Sequence, residues 1–198
     1  SEKVFIMKRL LLILILTLSF QSLTKADDIR DFQIEGMSVG DNALDFFTKY
    51  EIDNFKKFTY PDKKFTEVFT ESSKLEIYDS VTITLKPGNY RIYGISGAMD
   101  YREKSFNECL AAKKIIVTEV QSIFINSKKV DNGTYQTPDY TDNKSTRSQV
   151  EIILDKSNEV ISVDCVDWST KTEKKHGWGD NLNINIYSKE LENFLRNQ

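Results

Sequence analysis

Hydrophobic and polar residues alternate with a period of two in two parts of the chain, which is typical of strands with one buried face. In the first part, residues 75–85 and 90–95 predict the arms of a hairpin, joined by a turn with the sequence KPGN. In the second part, residues 149–154, 160–168 and 182–187 predict three more strands. Because hairpins dominate, we expect a largely antiparallel sheet.

The last predicted strand has the cleanest alternation. Leu182, Ile184 and Ile186 share one parity, and the residues between them are asparagines. We therefore expect the three apolar side chains to face the core, and the asparagines to face water or the polar side of the sheet. A register that turned Asn183 into the core would contradict this expectation.

A helical period in the apolar residues predicts three helical regions. The longest one follows two competing capping-box patterns, at Asp100 and Ser105, and carries a broad apolar stripe. A capping-box pattern at residues 38–41 predicts an N-terminal helix, and further apolar residues continue the helical spacing toward Pro61. A short C-terminal helix is predicted after Ser188.

Polar, turn-rich stretches at residues 127–148 and 169–181 predict loops. The order of helix, strands, long helix, strands and helix predicts one α+β domain over residues 27–198. In this domain a largely antiparallel sheet carries a long central helix, with shorter N- and C-terminal helices, on one face.

The first 26 residues predict export rather than a part of this domain. Lys8 and Arg9 precede an apolar run, Leu10–Leu18, and a more polar stretch leads to Ala26. This is the order of a cleavable secretory signal after a short upstream extension, and the apolar run is too short to span a bilayer as a helix. We expect a secreted or periplasmic protein that meets a membrane only if its signal stays uncleaved.

The charge balance gives no reason to expect nucleic-acid binding. The chain has 27 Lys and Arg against 30 Asp and Glu, and removal of residues 1–26 leaves 23 and 29. Such a mildly acidic domain has little electrostatic attraction to DNA or to anionic lipid.

The chain contains two cysteines, Cys109 and Cys165, and export would place both in an oxidising compartment. We therefore expect a disulfide between them. A cysteine nucleophile or metal ligand is the alternative, and the absence of a CxxC motif and the single histidine weigh against it.

Three stretches of the sequence carry a resemblance to known proteins. They are DDIRDFQIEGMSVGDNALDFF at 27–47, YRIYGISG at 90–97 and CVDWS at 165–169. They resemble a group of secreted bacterial proteins of unknown function, over most of residues 27–198. More distantly, the run GMS at 36–38 is similar to small modules of outer-membrane assembly lipoproteins and β-lactamase-inhibitor proteins, although the lipoprotein cysteine is missing. This second likeness implies a non-enzymatic envelope module.

No motif predicts a catalytic residue, a metal site or a cofactor. His176 is the only histidine, so it is the one possible base of a serine triad, and a zinc site would lack enough histidine and cysteine ligands. The run GISG at 94–97 is one residue short of a nucleophile elbow. Asp139, Asp142 and Asn143 lack the spacing of a calcium-binding EF-hand.

Aromatic residues in the polar stretches predict a binding surface, because loops often carry recognition residues. The candidate binding residues are Tyr135, Tyr140, His176 and Trp178. The leading hypothesis is a non-enzymatic interaction module whose partner is a protein or another cell-envelope component. The alternative is a small periplasmic hydrolase with carboxylates near the ends of the later strands. Its candidate acids are Asp164, Asp167 and Asp180.

Overall fold

The computed structural model describes residues 28–70, 75–138 and 141–197. Its centre is one eight-stranded sheet in which all neighbouring strands are antiparallel, in the order β1-β2-β3-β4-β8-β7-β6-β5. The strands are β1 (Lys56–Thr59), β2 (Thr66–Thr70), β3 (Ser80–Leu85), β4 (Ile92–Asp100), β5 (Ser127–Gln136), β6 (Thr146–Leu154), β7 (Val160–Asp167) and β8 (Asn181–Tyr187). The last strand in sequence therefore lies in the middle of the sheet, between β4 and β7.

Four α-helices and two short 3₁₀ turns accompany the sheet in the described ranges. They are α1 (Lys49–Asn54), α2 (Phe106–Ile123), α3 (Thr170–His176) and α4 (Lys189–Leu195), with 3₁₀ turns at Ile29–Asp31 and Ala43–Asp45. Helix α2 begins with a capping box, in which the side chains of Ser105 and Glu108 each accept a hydrogen bond from the other's backbone N–H. Of the two predicted starts, Ser105 is the one that the chain uses.

The main hydrophobic core lies between α2 and one face of the sheet. Helix α2 packs across β6, β7 and β8. Its buried valines, Val117 and Val120, share a single apolar cluster with Leu182, Ile184 and Ile186 of β8. The parity predicted for β8 is therefore confirmed, and its asparagines lie on the other face.

The predicted disulfide between Cys109 and Cys165 is confirmed. It joins the first turns of α2 to β7, with a Cα–Cα distance of 5.9 Å. Both residues are buried in the main core. The covalent bond therefore fastens the long helix to the strand that it packs on.

The predicted α+β class is confirmed, but the C-terminal helix lies on the second face of the sheet. Gly94 of β4 is the register partner of Tyr187 and precedes Ile95, which faces the main core. Because successive residues of a strand face opposite sides, Gly94 lies on the second face of the sheet. The side chain of Leu191 lies so close to Gly94 that a Cβ would not fit. Leu191 and Phe194 belong to a separate, largely aromatic cluster. The expectation of helices on one face only is therefore wrong for α4.

The predicted N-terminal helix is wrong over most of its length. Asp41 accepts a hydrogen bond from the backbone N–H of Ser38 at 2.8 Å, as in a capping box. However, Gly40 has a φ of +100°, and its N–H donates to the carbonyl of Ile92. This bond ties the segment to β4, so the helical part is limited to a 3₁₀ turn and α1, and the chain then enters β1.

The prediction of a loop at residues 127–148 is also wrong, because this stretch contains β5 and the first three residues of β6, which pair as a hairpin. The side chains of β5 are mostly exposed, since β5 is an edge strand. A strand that buries neither face shows no alternation in its sequence. The second predicted loop, 169–181, contains α3.

Within the described ranges, no helix has both the length and the apolar character needed to cross a membrane. The predicted upstream extension and signal peptide, residues 1–26, lie outside those ranges.

Candidate functional site

The second face of the sheet carries a patch of polar side chains beyond the end that α4 covers. Helix α4 packs on β4 and β8, and Arg196 just after it donates to the Glu151 carboxylate of β6 at 3.2 Å. Toward the other end, Asn183, Asp164 and Gln149 form one row of register partners across β8, β7 and β6. We define the polar face as Asn132, Tyr135, Arg147, Gln149, Ser162, Asp164, Asn181, Asn183 and Asn185.

Gln149 is the centre of a hydrogen-bond network on the polar face. Its Oε1 accepts from Asn132 Nδ2 at 3.0 Å and from the Tyr135 hydroxyl at 3.2 Å. Its Nε2 donates to Ser162 Oγ at 3.2 Å. Both ends of the amide are thus occupied, which fixes its orientation and links β5, β6 and β7.

The network ends on the carboxylate of Asp164, which is only 4% exposed. Oδ1 accepts from Ser162 Oγ at 2.8 Å, and Oδ2 accepts from Asn185 Nδ2 at 2.9 Å. Burial raises the pKa of Asp164, and the nearby Arg147 guanidinium and the hydrogen bond from Ser162 oppose this shift. A buried carboxylate is tolerated here because both of its oxygens have donors.

Arg147 interacts electrostatically with Asp164 and with Tyr135, two titratable groups of this network. Its guanidinium lowers the pKa of Asp164 and that of Tyr135, against the effect of burial on both groups. The Nε atom of Arg147 is buried and has no hydrogen-bond partner among the described residues.

Three aromatic side chains meet at the same end of the sheet, and we call Trp168, His176 and Trp178 the aromatic cluster. The rings of His176 and Trp178 stack, with centroids 4.5 Å apart and planes at 19°. The centroids of Trp168 and Trp178 lie 4.7 Å apart. Trp178 is 37% exposed, so part of its indole faces solvent.

The local sequence explains how the aromatic cluster forms. The side chain of Ser169 caps α3 by accepting from the N–H of Thr172, which starts the helix directly after Trp168. Gly177 ends α3 in the left-handed region, with a φ of +71°. This reversal brings Trp178 back onto His176, the last residue of the helix.

The aromatic cluster adjoins the polar face. Val166, two residues before Trp168, is the register partner of both Arg147 and Asn181. Trp168 Nε1 and His176 Nε2 are also buried without a hydrogen-bond partner in the described part of the chain. Together with Arg147 Nε, three nitrogen atoms at one end of the sheet therefore lack partners. Buried polar atoms are normally paired with protein, water or a ligand.

The carboxylates of the hydrolase alternative have different environments. Both oxygens of Asp164 are occupied, whereas Asp180 accepts one hydrogen bond from the Trp168 backbone N–H at 2.7 Å. Burial raises the pKa of Asp180, and the neighbouring carboxylates of Asp167, Glu173 and Asp100 raise it further. No group of three or more His, Cys, Asp or Glu side chains in the described ranges could hold a metal ion.

The structure places three of the four predicted binding residues at this end of the sheet. His176 and Trp178 stack on each other, and Tyr135 belongs to the polar face. Tyr140 lies outside the described residues. The parts played by Arg147 and Gln149 were not predicted from the sequence. Arg147 lies in the stretch predicted as a loop, and Gln149 begins the predicted strand 149–154 but bonds to residues on the neighbouring strands.

No family model and no curated protein sequence matches this chain. Two solved structures have a weak similarity to it. One is the Saccharomyces cerevisiae Ran-binding protein Mog1p, with 14% identity over 68% of this chain and 77% of that chain and a TM-score of 0.30. The other is a mutant of Mog1, with 15% identity over 73% and 84% and a TM-score of 0.30. At this level of similarity we infer neither a shared fold nor a shared function.

Proposed function

We propose that this protein is an exported, non-enzymatic binding module whose contact surface is the polar face together with the aromatic cluster. The observation that carries this proposal is the hydrogen-bond network on Gln149 and Asp164, which lies beside the partly exposed Trp178. Side chains held in one arrangement before binding lose less conformational entropy when a partner arrives. The partner is a protein or another component of the cell envelope.

Two observations support export and binding. A buried disulfide is typical of proteins that fold in an oxidising compartment, such as the periplasm or the cell exterior. An exposed tryptophan next to ordered polar groups is typical of binding surfaces. The raised pKa of Asp180 favours the hydrolase alternative, whereas the near-complete burial of Asp164 disfavours it.

The test is capture of partners from an envelope extract by the immobilised protein, compared with two variants. Trp178→Ala should reduce capture at least about fivefold, because hot-spot tryptophans contribute strongly to binding. Tyr50→Ala is the matched control, since Tyr50 is 76% exposed on α1 and belongs to neither surface. Equal capture by all three proteins would contradict the proposal. Hydrolysis of an extract component that Asp180→Asn abolishes would establish the alternative.

A further inference from the structure

We infer that the outer edge of β5 binds an extended, acidic segment of a partner protein, which joins the eight-stranded sheet as a further strand. This inference goes beyond the proposed function, because it concerns the backbone edge of the sheet and not the side chains of the polar face. It follows from the length and exposure of β5, from two lysines on this strand that have no acidic partner, and from the contrast with β1 at the opposite edge.

Strand β5 is a free sheet edge that is long enough to receive another strand. It extends over ten residues and pairs with β6 on one side, and no strand lies beyond it in the described ranges. In an antiparallel sheet, alternate residues of an edge strand direct their backbone N–H and C=O groups away from the neighbouring strand. Most side chains of β5 are also exposed, which leaves this row of backbone groups open to an extended segment.

Lys128 and Lys129 place positive charge on both faces of the sheet at this edge. Lys129 is the register partner of the core residue Ile152, so its side chain lies on the face that carries α2, and the side chain of Lys128 lies on the other face. Both lysines are exposed, and neither forms an ion pair with a carboxylate of the described residues. Consecutive residues of an added strand also point to opposite faces, so two consecutive Asp or Glu residues would meet one lysine each.

The carboxylates near this edge do not neutralise the two lysines. The charge of Asp131, on β5 itself, interacts with the buried ammonium group of Lys113. Glu151 of β6 pairs with Arg196 at 3.2 Å. The turn after β6, residues 155–158, adds one acidic and one basic residue. The edge therefore keeps an excess of positive charge, which attracts an acidic segment.

The opposite edge of the sheet, β1, lacks these features. It has four residues, against ten in β5. Its two lysines interact within the chain, because Lys56 lies over the ring of Phe69, with its Nζ 6.0 Å from the centroid, and Lys57 pairs with Asp53 at 3.7 Å. The longer edge, whose lysines have no acidic partner, is therefore the one that we assign to strand addition.

A second copy of this chain is disfavoured as the added strand. The regular first half of β5 is residues 127–131, which precede the irregularity in its pairing with β6. Antiparallel pairing of this segment with the same segment of a second copy would place Lys129 directly opposite Lys129. Like charges in directly opposed positions destabilise a sheet. An acidic strand from a different protein would instead form ion pairs at these positions.

The test is a selection of peptides by the immobilised protein from a display library of random peptides with the length of β5. The selected peptides should contain two consecutive Asp or Glu residues, and the synthetic peptides should slow hydrogen exchange of β5 backbone amides. The double variant Lys128→Glu/Lys129→Glu should bind them about tenfold more weakly. The matched control is Lys56→Glu/Lys57→Glu on β1, which changes the net charge equally and should bind normally. Melting temperatures show that both variants are folded.

Two further measurements test the ion pairs. Peptides in which lysines replace the acidic pair should bind Lys128→Glu/Lys129→Glu in preference to the native protein. Binding of the acidic peptides should weaken in about 0.5 M salt, because exposed ion pairs are screened.

Several results would overturn this inference. These are the selection of no peptide, the selection of peptides without an acidic pair, equal binding by the Lys128→Glu/Lys129→Glu variant, and protection from exchange outside β5. Dimers in sedimentation that this variant abolishes would assign the edge to a second copy and would also overturn the acidic partner. None of these results decides the proposed contact surface, which the capture experiment with Trp178→Ala tests.

Discussion

Removal of the Cys109–Cys165 disulfide should lower the free energy of unfolding by about 4 kcal/mol. The bridge joins residues with a sequence separation of 56, and in the chain-entropy model the stabilisation grows with the logarithm of the loop length. Both cysteines are buried, at 2% and 0% exposure, so alanine replacements leave small holes without stranding a polar group. For a domain of this size, each kcal/mol shifts the melting temperature by about 2–4 °C, so the expected fall is about 8–16 °C.

Thermal unfolding followed by circular dichroism tests this prediction, with the native protein and the Cys109→Ala/Cys165→Ala double variant each melted with and without a thiol reductant. The native protein with reductant and the double variant should melt at similar temperatures, and reductant should not affect the double variant. A fall of less than about 3 °C would refute the reasoning, because the released loop would then not enlarge the unfolded ensemble as the chain-entropy model requires.

Two further predictions follow from single side chains. Gly97→Ala should lower the free energy of unfolding, measured in urea, by about 1–3 kcal/mol, because its Cβ would lie 2.5 Å from the buried ring of Tyr78. Gly179→Ala is the control and should lower it less, since its Cβ would meet the flexible side chain of Arg102. Because burial raises the pKa of Asp164, the folded protein holds this proton to higher pH than the unfolded chain does. The contribution of Asp164 to the free energy of unfolding should therefore fall as the pH rises above about 4. Free energies of unfolding from urea titrations at several pH values should show this contribution as a difference between the native protein and Asp164→Asn that shifts against the native protein as the pH rises.

Elements that bury one face were predictable from the sequence, whereas elements that bury neither face were not. Strand β8 and helix α2 each set an apolar face against a polar one, so their period is visible and their orientation was predictable. Strand β5 is at the edge of the sheet and exposes nearly all of its side chains. Its β conformation comes from pairing with β6, which is a long-range interaction that no local pattern encodes.

The prediction of an N-terminal helix was wrong for a different reason. The pattern SVGD at residues 38–41 does form the short-range hydrogen bond of a capping box, from the Ser38 N–H to Asp41. Whether a helix follows depends on the next residues, and the positive φ of Gly40 and its bond to Ile92 turn the chain toward β4 instead. A local hydrogen bond was thus predictable, but a tertiary contact decides the conformation around it.

The candidate site was predictable only in part, because its residues come together through strand register. The aromatic cluster depends on residues that are close in sequence, at or near the two ends of the short helix α3, and two of its three members were predicted as binding residues. The polar face draws instead on four strands, and its hub, Gln149, bonds to residues 13 to 17 positions away. No spacing rule within one strand could have assembled it.

The asparagines of β8 are the part of the polar face that the sequence displayed most openly. Asparagine is depleted in strands, and a central strand gains more stability from β-branched or aromatic residues. Strand β8 lies between β4 and β7 and nevertheless has asparagine at positions 181, 183 and 185, all on the face that α2 does not cover. Asn185 pairs with the buried carboxylate of Asp164, and Asn183 donates to Asn181. The polar parity of this strand therefore supplies hydrogen-bonding groups to the contact surface that we propose.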